Sequence, residues 1–505
     1  MAAKSIMIQG TGSDVGKSVI TAGLCRLLVR DGYQVAPFKS QNMALNSFIT
    51  RDGGEIGRAQ AVQAEAARVV ATVDMNPVLL KPNQDDNSQL IIHGQAVKNI
   101  KAKEYFADQG KSLEAIEESL QRLAGKWEII VMEGAGSPAE INLREYDLVN
   151  MKIAEMIDAP VILVADIDKG GVFASIVGTL ELLTQEERER VKGIIINKFR
   201  GDQARFEGGI DFIEKYTGKP VLGVIPYLKD IKIPEEDSLA QDVQGDTDYQ
   251  LDIVILYLPH ISNFTDFDLL AAEPETRVRY LRELTEIGEP DLIIIPGSKN
   301  TIEDLQYLYS QGYIEVIRQK YRQGIPVLGI CGGYQMLGRR VIDPSHVESS
   351  EEVVAGLGLL EMETVYAGEK ISRQVKASIN TDISFFKDLQ GEVLTGYEIH
   401  HGRSRIDSDQ NQLLKIMLWG DKGESFDDGL ISDDGLVWGT YLHGIFDNDR
   451  FRRSFINHIR EKKGLHPLSR QHMSSRRLRE DAYDRFADLL EKNIARAKLD
   501  RVIFG

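Results

Sequence analysis

The sequence predicts an α/β protein of two domains. The first (1–235) is a P-loop-type, mostly parallel sheet with helices on both faces, and the second (251–448) is another α/β unit. Three observations carry this. Short apolar, β-branched runs recur, each followed by a turn and a helical pattern. The runs lack a polar face, as strands covered by helices on both sides do. The series is broken once, by the acidic, aperiodic stretch "PEEDSLAQDVQGDTDYQ" (234–250), read as a linker over 236–250.

The first series comprises "SIMIQG" (5–10), "WEIIVMEG" (127–134), "APVILVAD" (159–166), "VKGIIINK" (191–198) and "PVLGVIPYL" (220–228). The second comprises "LDIVILYLP" (251–259), "DLIIIPGS" (291–298), "PVLGICGG" (326–333) and "GLVWGTYLHG" (435–444). "DPSHVESSEEVV" (343–354) reads as a surface loop, and residues 449–505, rich in Arg and Glu, read as a helical C-terminal tail.

Bulk properties narrow the class. The chain has 505 residues, 42% hydrophobic and 27% charged, which is ordinary for a globular protein. Its net charge of −17 argues against general binding of nucleic acid or membrane surfaces. The two cysteines, Cys25 and Cys331, are too few for a disulfide framework or a Cys-based zinc site. Cys25 lies in a helical apolar pattern and reads as core. No apolar run reaches membrane-spanning length, and "MAAKSIMIQG" has too short an apolar core for a signal peptide. A cytoplasmic protein is the simplest reading, and homo-oligomer formation stays open.

"IQGTGSDVGKSVITAGLCRLL" runs from strand through a Gly-rich loop into a helix. Backbone N–H groups of such a loop, together with the helix N-terminus, cradle phosphate. The ATP-binding residues expected are Gly12, Ser13, Asp14, Val15, Gly16, Lys17 and Ser18. Lys17 would reach the β/γ-phosphates, and the Ser18 hydroxyl would ligate Mg²⁺. The spacing departs from the standard P-loop: five residues separate Gly10 from Gly16, and Thr stands at position 11. This variant resembles the loop of dethiobiotin synthetase and its relatives, which use ATP to activate a carboxylate. By that resemblance Glu133, in "VMEGAGSPAEINL" (131–143), is a metal ligand; the alternative is a solvated carboxylate at a strand end. The family also has an acidic ligand after its second strand. This chain has "KSQNMALNSF" (39–48) there, without a carboxylate, so that ligand is unplaced. Asn197, in "INKFRGD", is either an adenine contact, as in the relatives, or part of a plain strand-to-loop turn.

"GICGG" (329–333) is a G-x-C-x-G strand-to-helix turn, the cysteine form of a nucleophile elbow. The helix that follows favours thiolate at Cys331. A thiolate nucleophile needs a histidine as acid and base, and "WGTYLHGIF" (438–446) offers His443. "IIIPGSKNT" (293–301) places Gly297 after a strand. Its N–H and that of Gly332 would form an oxyanion hole. The order of oxyanion strand, Cys elbow and His strand resembles class I glutamine amidotransferases, so the second α/β unit is expected to be such a domain. Many members carry a Glu two residues after the His. Here that position is Ile445, which implies a Cys–His dyad of the kind known in the cobyrinate-type branch.

Taken together, the motifs "GTGSDVGKS", "KSQNMALNS", "EGAGSPAEINL", "VADIDKGGVFAS", "PGSKNT", "GICGGYQMLG", "GYEIHHGRS" and "GTYLHGIF" resemble the cobyric acid synthase family over nearly the whole chain. The resemblance implies ATP- and glutamine-dependent amidation of four carboxylates of a corrinoid, with ATP and Mg²⁺ as cofactors. It also implies small-molecule partners: a corrinoid polycarboxylate, glutamine and ATP. Asp147 is a candidate for substrate or phosphate handling, or an exposed helix carboxylate. Lys39, Lys81, Arg144 and Arg200 are candidate corrinoid contacts. In "HH" (400–401) the two side chains point apart on a strand, one shaping the domain and one exposed. The alternatives are cobyrinate a,c-diamide synthase, another glutamine-dependent amide ligase, and a P-loop ATPase switch of the partitioning type.

Overall fold

The computed structural model describes residues 3–84, 87–107, 109–228, 248–349, 351–406, 411–418, 425–469 and 474–505. Most of the expected linker, up to residue 247, lies outside the described residues. The first domain is built on six parallel strands in the order Val221–Pro226, Val191–Phe199, Val161–Asp166, Lys4–Gly10, Ile129–Glu133 and Val35–Phe38. Ile129–Glu133 and Val161–Asp166 are buried at every position. Apolar clusters cover both faces of the sheet, which explains strands without a polar side.

The second domain has a mixed sheet. Five parallel strands run Thr276–Leu281, Leu251–Leu256, Leu292–Ile295, Val327–Ile330 and Val437–Thr440, and Ser425–Ile431 continues the sheet antiparallel to the last. Two long strands, Met362–Ile379 and Val393–Ile406, pair antiparallel along their length.

Two features were not expected from periodicity. Between the second and third strands of the first domain, residues 41–101 form a small sheet of Gln41–Met43, Val78–Gln84, Asn87–Ile92 and Gln95–Lys101. The C-terminal tail is helical, but it divides between the domains. Helix Asp449–Lys462 packs Phe451, Phe455, Ile456 and Ile459 into the second core. Helices Ser475–Asn493 and Arg496–Phe504 cross back and close one face of the first sheet with Tyr483, Phe486, Leu490, Leu499 and Ile503. The approach is close: a Cβ on Gly23 of helix Lys17–Arg30 would meet Leu490 and Phe486 at 2.5 Å. Arg26, fully buried, pairs with Glu480 at 2.8 Å. Among the described residues no helix is long and apolar enough to cross a membrane.

Candidate active sites

Helix Lys17–Arg30 starts at the end of the glycine-rich loop, capped by Gly16 at φ 95°. Its first turn thus aims N–H groups at the loop. A Cβ at Gly16 would overlap Asn197 Nδ2 at 2.2 Å, and that amide donates to Val15 O at 2.9 Å. Lys17 Nζ donates to Gly12 O (2.8 Å) and Gly136 O (3.1 Å), tying the loop to the turn after Glu133. Ser18 Oγ donates to Glu133 Oε1 at 2.8 Å. Glu133 is buried and also accepts from Lys39 (3.1 Å) and Gln63. Burial pushes its carboxyl up, but Lys39, Ser18 and Gln63 outweigh that and hold it below the usual carboxylate range. A cavity of about 300 Å³ opens on Ser13, Asp14, Gly16, Lys17, Ser18 and Glu133. Ser18 and Glu133 present adjacent oxygens, the donor type a hard cation takes. Among the described residues no cluster of three or more His, Cys, Asp or Glu accompanies them.

In the second domain Cys331 sits at φ 51°, a left-handed conformation that turns its side chain out of the sheet. The flanking glycines are required by space. A Cβ on Gly333 would lie 1.9 Å from Ile295 O, and one on Gly329 would lie 2.6 Å from Gly333. Cys331 Sγ lies 3.4 Å from Ile399 O. His443 is buried, and its Nδ1 lies 2.7 Å from Asp266 Oδ2. The carboxylate only accepts, so Nδ1 carries the proton and Nε2 faces the thiol side. Asp266 Oδ1 also accepts from Gly444 N at 3.1 Å. Burial alone would lower the imidazole, but the Asp266 and Cys331 charges reverse this and raise it to about 10. Gly297 and Gly332 are closely packed beside these groups: a Cβ on each would meet His443 Cε1 at 3.4 Å and Ser298 N at 2.8 Å, respectively. Behind the elbow, Gln335 is locked by Thr301 (3.1 Å), Tyr366 (2.9 Å) and Tyr441 (3.1 Å).

Two family models match the chain: a CobQ/CobB/MinD/ParA nucleotide binding domain over residues 6–240 and a CobB/CobQ-like glutamine amidotransferase domain over 252–451. Curated relatives named cobyric acid synthase match nearly end to end. That of Pelotomaculum thermopropionicum is 51% identical over 92% of this chain and 89% of its own. That of Klebsiella pneumoniae strain 342 is 50% identical over 98% of this chain and 97% of its own. The chain belongs to the cobyric acid synthase family. It is a glutamine-dependent, amide-forming enzyme with a nucleotide-binding domain that uses ATP.

Within this family frame, several residues take other places than their sequence suggested. The alternative of a solvated strand end at Glu133 is excluded by its burial. Where the resemblance implies a second acid, the segment after the second strand holds Lys39, an ion-pair partner of Glu133. Asn197 buttresses the loop from beneath. Asp147 is not an exposed helix carboxylate: its oxygens accept the N–H groups of Val149, Asn150 and Lys152 and cap that turn. Of the candidate corrinoid contacts, Lys81 pairs with Glu55, Arg144 with Glu187 and Arg200 with Asp168. Of the His pair, expected to be one shaping and one exposed, neither is exposed: His400 is buried and stacks on Tyr441 at 3.7 Å, and His401 is half-buried in a cavity between the domains.

The expected dyad is corrected by Asp266. The position two residues after His443 does lack a carboxylate, since Ile445 fills it and is buried. The acid arrives instead from the turn Phe264–Phe267, after the first strand of the domain. No local spacing relates "NFTDFD" to the His strand, so the pairing exists only in three dimensions. The same turn touches the other domain. Phe264 N donates to Asn46 Oδ1 (3.1 Å), and Ser47 N donates to Asn263 Oδ1 (2.9 Å). Nearby, Lys370 of the second domain and Lys81 of the first share Glu55, at 2.5 and 2.9 Å.

Proposed function

We propose that this enzyme amidates the b, d, e and g carboxylates of adenosylcobyrinate a,c-diamide to give adenosylcobyric acid. The observation that carries the reading is the pairing of two sites in one chain: a phosphate cradle with Ser18 and Glu133, and a Cys331–His443–Asp266 constellation. Cys331 Sγ attacks the amide carbon of glutamine, and the N–H groups of Gly297 and Gly332 receive the oxyanion. His443 Nε2 protonates the departing ammonia, leaving a glutamyl thioester. It then takes a proton from water, which releases glutamate. Asp266 holds the Nδ1–H tautomer throughout.

In the first domain the loop 12–18 holds the ATP phosphates, with Lys17 turning from its backbone contacts to the β/γ-phosphates. Ser18 Oγ and Glu133 would hold Mg²⁺ alongside phosphate oxygens; an ion there neutralises phosphate charge. The corrinoid carboxylate takes the γ-phosphoryl group, and ammonia displaces phosphate from the acyl phosphate. The cavity beside Phe199, Arg200, Pro226 and Tyr227, walled by Leu489 and Lys492 of the tail helix, suits the nucleotide base.

A related reading is cobyrinate a,c-diamide synthase. The segment "QNMALN" favours the first, because here it makes a small strand and an interdomain clamp in place of an acidic metal-binding run. Mass spectrometry of corrinoid products with ATP, Mg²⁺ and glutamine tests this. Four successive conversions of carboxylate to amide are expected, and two or none would reject it. Cys331→Ser is expected to abolish glutamine-dependent synthesis and leave ammonia-dependent synthesis within about threefold of wild type. Unchanged glutamine use would reject the nucleophile.

A further inference from the structure

We propose that Tyr397 is a positioning residue for the acid–base histidine: its ring backs one face of the His443 imidazole, keeps Nε2 directed to the thiol side and stabilises the imidazolium. This rests on the reading that Cys331 and His443 hydrolyse glutamine.

A histidine tied at one atom is not yet aimed. Asp266 fixes Nδ1, but a flat ring held by one hydrogen bond can still swing about it. Gly297 bounds the edge at Cε1. A contact on the face of the ring removes the remaining freedom, and Tyr397 supplies it. The two ring centroids lie 5.1 Å apart and the planes are within 12° of parallel, in the range of an offset stack. The backbone is built for this contact. Tyr397 N donates to His443 O at 3.2 Å, and His443 N donates to Tyr397 O at 2.9 Å. Residues paired in this way send their side chains to the same face. Gly396 permits the approach, since a Cβ there would lie 2.3 Å from His443 O. Tyr397 is in turn held by the first domain. It clusters with Ile49, has the Phe48 ring at 6.3 Å and donates its hydroxyl to Ser47 O at 3.4 Å.

The chemistry agrees with the geometry. Tyr397 is buried. Burial and the Asp266 charge push its phenol well above the ordinary value, so the hydroxyl keeps its proton and does no acid–base work near neutral pH. What the ring offers is a π face, which attracts a cation within about 6 Å of its centroid. The His443 imidazolium, formed each time Nε2 takes a proton, is such a cation. The titratable groups around that imidazole are Asp266, Cys331, Glu398 and His400, with Glu398 paired to Arg373 at 2.6 Å. Arg58 and Asp447 act on Tyr397 itself. Exchanging the tyrosine ring for an aliphatic side chain alters none of these charges, so a change in His443 titration reports the ring.

The test uses the full chain with ATP, Mg²⁺ and adenosylcobyrinate a,c-diamide, with glutamine or ammonia as the nitrogen source, over pH 6–10.5. Tyr397→Phe keeps the ring and is expected to hold glutamine-dependent kcat within about threefold, with the alkaline limb of kcat/KM in place. Tyr397→Leu and Tyr397→Met fill the space without a ring. Both are expected to lower glutamine-dependent kcat about tenfold or more, leave KM within about threefold and move the alkaline limb down by about one pH unit. Ammonia-dependent synthesis should stay at the wild-type level in all three variants. An alkaline limb that stays in place in Tyr397→Leu and Tyr397→Met would overturn the assignment. So would a Tyr397→Phe variant as slow as Tyr397→Leu, which would place the role on the hydroxyl. A parallel loss of ammonia-dependent synthesis in both aliphatic variants would overturn it too, because the ring would then be holding the domains and not the histidine. Failure of the underlying glutaminase reading shows separately, as glutamine use that survives Cys331→Ser.

Discussion

His443 is held as an imidazolium by two acids, and this decides how the glutaminase should respond to pH. Its pKa is raised to about 10, so the charged form persists below that value and is lost as pH rises through it. Asp266→Asn removes one source of the raise. The alkaline limb of glutamine-dependent kcat/KM is expected to move to lower pH, with kcat down roughly 10²-fold or more because the tautomer is no longer held. Ammonia-dependent synthesis should not change. An unmoved alkaline limb, measured over pH 6–10.5, would contradict the role of Asp266. The elbow and His443 were legible in the sequence because their constraints are local: small residues flank Cys331, and apolar strands deliver both groups. Asp266 was not, because its partner is 177 residues away and no periodicity links them.

Among the elements, the two last helices behave as part of the first domain. Leu490 is fully buried against helix Lys17–Arg30. Leu490→Ala is expected to cost about 2–5 kcal/mol, read as a fall in the melting temperature of the nucleotide-binding unit. A shift within error would mean that these two helices, a strap over the first sheet, add little to that core. Charge composition identified these helices as helices, but it hid their address. Their apolar stripe is read easily at Tyr483, Phe486 and Leu490; which sheet it covers depends on the path of the chain. The parallel strands were legible for the opposite reason. A strand such as "VILVAD" that is apolar on both sides has few places to go except the middle of a covered sheet.

At the scale of the whole molecule, Glu55 and Asn46 join the two chemistries. Burial pushes the Glu55 carboxyl up, but Lys370 and Lys81 more than reverse this and hold it far below the usual carboxylate range. The charge therefore contributes stability above about pH 4.3 and loses it as pH falls through the depressed value. Glu55→Gln leaves two buried ammonium groups without a counter-charge and is expected to cost about 3–5 kcal/mol. Calorimetry should then show the domains melting apart, and a single unshifted transition would contradict the ionic clamp. Asn46→Ala frees Phe264 N beside Asp266, so glutaminase kcat should fall severalfold with ammonia-dependent synthesis preserved; an equal fall in both would point to general damage. The interdomain insertion at 41–101 was illegible because its strands are short and polar at the joint. The strap has a further consequence for how the protein is made. A ribosome produces residues 1–228 long before it reaches Tyr483, Phe486 and Leu490. At about 5–20 residues per second, the nascent first domain waits roughly a quarter of a minute to a minute, after its last strand emerges, for the helices that cover its apolar face. During translation that face needs a chaperone or the growing second domain beside it.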